Sequence, residues 1–124
     1  MNIVWYNENQ KTLISTIQNN NITLNKTCVT LLEHAYSVML GLDYENKVVY
    51  IKPLSKEEAT RGDITEKEQY KITVKSSYAR VSNKNFINEI KKVLGISDLT
   101  DPKKYIASFD DYSRSLKIDL NRGV

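Results

Sequence analysis

Apolar and polar positions along this chain alternate in short bursts, and most bursts are cut off by Asn, Asp or Gly within a few residues. Tyr70, Ile72 and Val74 alternate with Lys71, Thr73 and Lys75, the period of a half-buried strand. Leu13 to Ile17 is rich in β-branched residues and reads as another strand. Asn19-Asn20-Asn21 follows, and Asn tolerates the left-handed backbone of a tight turn, so 12–18 is expected to pair with 22–25. Val38 to Leu42 and "VVYIKP" flank the polar "DYENK", while "KYIASF" and "SLKIDL" flank "DDYSR", which predicts two more hairpins. Ile3 to Tyr6 and "YARVS" read as short strands. Helical spacing is clearest from Lys84 to Leu94, where Phe86, Ile87, Ile90, Val93 and Leu94 share a side and Gly95 supplies the stop. A shorter helix is expected from Asn25 as N-cap, offering Val29, Leu31, Leu32 and Ala35 to the core.

The two ends of the chain repeat one order: strand, strand, Asn-Lys, helix, strand, Asp-containing turn, strand. Leu42-Asp43 corresponds to Phe109-Asp110, Lys47 to Arg114, and Ile51 to Ile118. The segment between them, 55–69 ("SKEEATRGDITEKEQ"), has no sustained apolar period and is expected to be a charged linker or exposed loop, with a short helical turn around Lys56 to Thr60. The expectation is an α+β chain, mostly antiparallel β-hairpins with two short helices, in which 1–54 and 70–124 are pseudo-twofold halves of one compact domain. Asn25 and Asn83 then serve as helix caps, with Ser82 competing in the second half. Capping does not explain Lys26 or Lys84, since a cation opposes the dipole at a helix start; each points to solvent or meets an anion.

Length and composition fit this picture. The chain has 124 residues, 40% hydrophobic and 27% charged, enough for one domain with a real core. No run approaches a membrane span, and "MNIVWYNENQ" lacks the pattern of a signal peptide. A single cysteine, Cys28, forbids an intramolecular disulfide and favours a reducing, cytoplasmic setting. The net charge of +3 is uneven: residues 70–124 hold eleven basic and six acidic groups, whereas 55–69 holds three basic and five acidic. The second half is thus the candidate for a positive face.

With those junctions and hairpins in view, the chain resembles the AbrB/SpoVT-type transition-state regulators and their MraZ and antitoxin relatives. Ile22-Thr23-Leu24-Asn25-Lys26 and Ala79-Arg80-Val81-Ser82-Asn83-Lys84 match the strand and junction of that family, and Leu94-Gly95-Ile96 matches the helix end. "VMLGLDYENKVVYIKP" and "IASFDDYSRSLKIDL" match the closing hairpins. The family's junction proline is Asn here in both halves, and its basic turn is replaced by Asn19-Asn20-Asn21 in the first. The resemblance implies an AbrB-like barrel built as a pseudo-dimer, and DNA binding.

Three function classes follow. As a transcriptional regulator, the chain would neutralise the phosphates of double-stranded DNA with Lys26, Lys75, Arg80 and Lys84, and hydrogen-bond through Asn19, Asn20 and Asn21, with both strand–helix junctions facing the duplex. As an antitoxin-like or phage-encoded protein-binding adaptor, it would present Tyr44 and Tyr112, which sit in hairpin turns, while Tyr36, Tyr50, Tyr70, Tyr78 and Tyr105 are expected to pack on the sheet. Enzyme chemistry is disfavoured. His34 and Cys28 fall on different faces of a short helix, Asp110 and Asp111 point apart at a hairpin tip, and no metal cluster or glycine-rich phosphate loop stands out. No catalytic residue, metal or cofactor is expected, and the chain acts as a monomer or homodimer.

Overall fold

Strand pairing dominates the computed structural model, which describes residue 3 and residues 12–124. The strand expected at Ile3 to Tyr6 lies, but for Ile3, outside the described residues. In chain order the elements are β1 (Leu13–Ile17), β2 (Ile22–Leu24), α1 (Lys26–Leu32), β3 (Ser37–Asp43), β4 (Val48–Leu54), α2 (Lys56–Thr60), a 3-10 turn (Glu66–Glu68), β5 (Thr73–Val74), β6 (Ala79–Val81), α3 (Lys84–Leu94), β7 (Lys103–Asp110) and β8 (Ser115–Gly123). The strands form one 8-stranded antiparallel sheet in the order β3-β4-β8-β7-β1-β2-β6-β5. The class is α+β and mostly antiparallel.

The sheet curls, and one antiparallel bridge between Val38 and Tyr70 ties β3 to the chain just ahead of the other edge strand, β5. Its inner face carries the core, including Ile17, Leu24, Val38, Ile51, Ile118 and Leu116, all fully buried. Helices α1 and α3 add Cys28, Leu32, Ile87 and Ile90 to the same cluster. Each large aliphatic side chain removed from water there contributes about 1.5–3 kcal/mol.

The two long hairpins share a register. Asp43 pairs with Val48, Leu42 with Val49, Gly41 with Tyr50 and Leu40 with Ile51. Asp110 pairs with Ser115, Phe109 with Leu116, Ser108 with Lys117 and Ala107 with Ile118. Both turns close in the same way. Asp43 accepts from the Asn46 backbone and side chain, Asp110 accepts from the Tyr112 backbone N–H and the Ser113 hydroxyl, and Lys47 and Arg114 take left-handed backbone at φ 58 and 54. These hydrogen bonds hold both Asp carboxyls below their ordinary pKa.

Several expectations need correction. Among the described residues there are three α-helices rather than two: the helical turn expected around Lys56 to Thr60 forms a helix, α2, started by a capping box of Ser55 and Glu58. The 55–69 segment is mostly exposed, as expected, but it is anchored at a few points. Ala59 is buried, the Gln69 amide donates to the carbonyls of Ala59 and Ile64, and the Ser37 hydroxyl donates to Gln69 Oε1 at 2.8 Å. The strand expected over Tyr70 to Lys75 shortens to Thr73–Val74, because Tyr70 gives both its backbone groups to Val38. Tyr36 does not pack on the sheet; it is 55% exposed.

Asn25 and Asn83 sit at their expected junctions but do different work. Asn83 Oδ1 accepts from the Phe86 N–H at 2.9 Å, an ordinary side-chain cap, and Ser82 does not compete for it. Asn25 makes no side-chain cap. Its amide donates to the Thr12 carbonyl at 2.8 Å and accepts from the Ile14 N–H at 3.2 Å, so the side chain continues the ladder along β1. At the other end of α3, Gly95 has φ 70, and the N–H of Ile96 reaches back to the Lys91 carbonyl, as its stop role requires.

Candidate nucleic-acid interface

The centre of the candidate surface is the β2–β6 pairing. Ile22 and Leu24 point inward, so Thr23 points out, and Arg80 is its direct partner on β6. The same transverse row runs on through Thr16 of β1 and Lys104 of β7 on one side and Thr73 of β5 on the other. Lys104, Thr16, Thr23, Arg80 and Thr73 therefore share one outer face. Arg80 also lies over the Tyr78 ring, 5.0 Å from its centre, which holds the guanidinium in place on the surface.

Around this row the predicted cations divide. Antiparallel strands leave the pair in opposite directions, so Lys26, which follows β2, sits at the end where β6 begins. Lys75 is at that end too, its N–H bonded to the Tyr78 carbonyl in the β5–β6 turn. Lys84, which follows β6, sits at the end where β2 begins, with Asn20 and Asn21. Lys26, Lys75, Arg80 and Lys84 are all exposed. The two strand–helix junctions are thus not side by side; they lie at opposite ends of the pair with Arg80 between them.

The Asn turn is only partly free to meet a ligand. Asn19 Nδ2 donates to Asp98 Oδ1 at 2.8 Å and Asn19 Oδ1 accepts from the Leu99 N–H, which anchors the turn to the chain after α3. Asn21 Oδ1 accepts from the Thr23 hydroxyl. Asn20 is exposed. The Asp98 carboxylate is engaged by Thr100 and Asn19, and these bonds keep its pKa below the usual value.

The sequence reading missed Lys71 and Lys104. Lys71 shares the outward parity of Thr73, and Lys104 enters the Arg80 row through β7, a strand far off in sequence. Acid-free composition was the available signal: 12–24, 70–82 and 103–109 hold Lys71, Lys75, Arg80, Lys103 and Lys104 and no Asp or Glu. The pairing brings those three stretches together in one half of the sheet.

The other candidates lie elsewhere. Tyr44 is 57% exposed, but its hydroxyl donates to Glu89 Oε1 at 2.9 Å, tying the β3–β4 tip to α3. Tyr112, on the β7–β8 tip, is 98% exposed. Cys28 is buried against Asn25 Oδ1, and burial pushes its thiol up to about 11, while the His34 side chain is 93% exposed. Among the described residues no group of three or more His, Cys, Asp or Glu is arranged to hold a metal, and no helix is long and apolar enough to cross a membrane. No family model, curated protein or solved structure matches this chain.

Proposed function

We propose that this chain is a DNA-binding transcriptional regulator without catalytic chemistry of its own, and that it grips duplex DNA with the outer face of β7-β1-β2-β6-β5. One observation carries the reading: the stretches 12–24, 70–82 and 103–109, which pair in this half of the sheet, bring Lys71, Lys75, Arg80 and Lys104 together and hold no Asp or Glu. Lysines along such a face neutralise phosphates, while the threonine hydroxyls of the central row donate to phosphate oxygens and fix register. Arg80, at the centre and braced by Tyr78, is the residue suited to reach a base edge. Lys26 and Lys84 extend the contact toward either end of the β2–β6 pair.

The same proposal takes the chain as an internally duplicated, AbrB-like barrel. The shared hairpin register, the matching turn closures, and a strand order in which β4–β8 and β2–β6 each join one half to the other support that reading. Cys28, a buried free thiol, fits a reducing compartment such as the cytoplasm.

The test is fluorescence anisotropy with a labelled duplex of random sequence over a range of salt. Affinity is expected to fall steeply as salt rises, and Lys104→Ala should reduce the slope of log K against log salt by about 1. A flat salt response, or an unchanged slope in Lys104→Ala, overturns the proposal.

A further inference from the structure

The other half of the sheet carries a second cleft with its own chemistry. Tyr50 of β4 and Lys117 of β8 are direct partners, and Lys117 Nζ lies 5.7 Å from the Tyr50 ring centre. On its other flank Tyr50 is paired with Gly41, so no side chain of β3 stands directly opposite it, and Met39 of β3 lines the cleft beside it. Lys52, Arg114 and Tyr112 line the same cleft, whose volume is 410 Å³. Tyr112 stands at its rim, 98% exposed, on a turn whose backbone is fixed by the Tyr112 N–H bond to Asp110 Oδ1.

The residues lining this cleft include cations and aromatic rings but no carboxylate. Glu58, whose charge faces Lys52 and Arg114, is engaged in the capping box of α2, Asp110 is engaged in its own turn, and Asp111 stands exposed beside Tyr112. A bare anion would leave the two tyrosines without a role, and an apolar ligand would strip water from Lys52 and Arg114 for nothing in return. A planar ring bearing a phosphate uses both features, and the volume is that of a small-molecule pocket. We propose that this cleft binds a nucleoside monophosphate, its base stacked on Tyr112 over the Tyr50 floor and its phosphate held by Lys52 and Arg114. The inference uses strands and cations outside the DNA-binding face, so it stands or falls separately from that reading.

The experiment is an NMR titration of the full ¹⁵N-labelled chain with AMP and GMP, and in separate arms with adenosine, inorganic phosphate and a short single-stranded oligonucleotide. Either nucleotide should shift the amides of Gly41, Lys52 and 112–114 saturably, and more tightly than adenosine or phosphate alone. Tyr112→Ala and Lys52→Ala should each weaken binding about tenfold. Tyr112 is too exposed for its loss to disturb the fold, and an otherwise unchanged spectrum checks this. Four results overturn the proposal: no saturable shift at millimolar nucleotide, an equal response to phosphate alone, affinity unaltered in Tyr112→Ala, or an oligonucleotide that binds the cleft more tightly than the nucleotide.

Discussion

Asn25 and Asn83 are the same residue type at matching junctions, yet removing them has different consequences. Asn83→Ala deletes one cap bond and should cost about 1 kcal/mol. Asn25→Ala removes two part-buried bonds, to the Thr12 carbonyl and from the Ile14 N–H, and should cost more, about 1–3 kcal/mol for the Ile14 N–H alone. Urea denaturation of the two variants should therefore rank Asn25→Ala as clearly the weaker protein, and equal midpoints would refute the ladder role. The sequence made the junction legible but not this division, because it depends on how closely β1 passes Asn25. Acid sensitivity belongs to the same scale. Asp43, Asp98 and Asp110 have carboxyls held below their ordinary pKa, mainly by hydrogen bonds from their own turns. A depressed pKa means the unfolded chain binds protons more readily, so the stabilisation is full above about pH 5 and is lost as pH falls through the lowered values. Thermal melts should decline over that acid range, and Asp110→Asn should flatten part of the decline.

At the level of elements, short-range chemistry was readable and long-range docking was not. Helix α3 starts at Lys84 and stops before Gly95 because its cap, its apolar stripe and its left-handed stop are all local. The hairpins β1–β2, β3–β4 and β7–β8 are local in the same sense. Segment 55–69 reads as a linker because what holds it is an amide at Gln69 and a hydroxyl at Ser37, distant in sequence and ordinary in type. Gln69→Ala should free this segment alone: hydrogen exchange should accelerate from Ala59 to Gln69 while the amides of β4 and β8 keep their protection. Uniform acceleration across the sheet would mean that the segment supports the whole fold.

For the whole molecule, the candidate face depends on pairings that no stretch of sequence displays. Arg80 and Lys75 were identifiable as cations on a strand and its turn, but Lys104 joins them only through β7–β1–β2–β6, three successive antiparallel pairings. The register of those pairings sets the face, since a slip by one residue would turn Arg80 inward. Mutating Lys104 should accordingly weaken DNA binding in proportion to its phosphate contact, without altering sequence preference.

The bridge at Val38 and Tyr70 has a further consequence. Between β1 and β7 the sheet is stitched along the whole of β1, whereas between β3 and the chain ahead of β5 it is held by one reciprocal pair of backbone bonds. Thermal breathing should begin there, because a bridge flanked by the Ser37–Gln69 side-chain bond but by no continuing ladder gains little from cooperative neighbours. The Val38 and Tyr70 amides are expected to exchange with solvent well before those of Thr16 and Lys104. The molecule would then behave less like a sealed cylinder than like a cuff that opens first at its clasp.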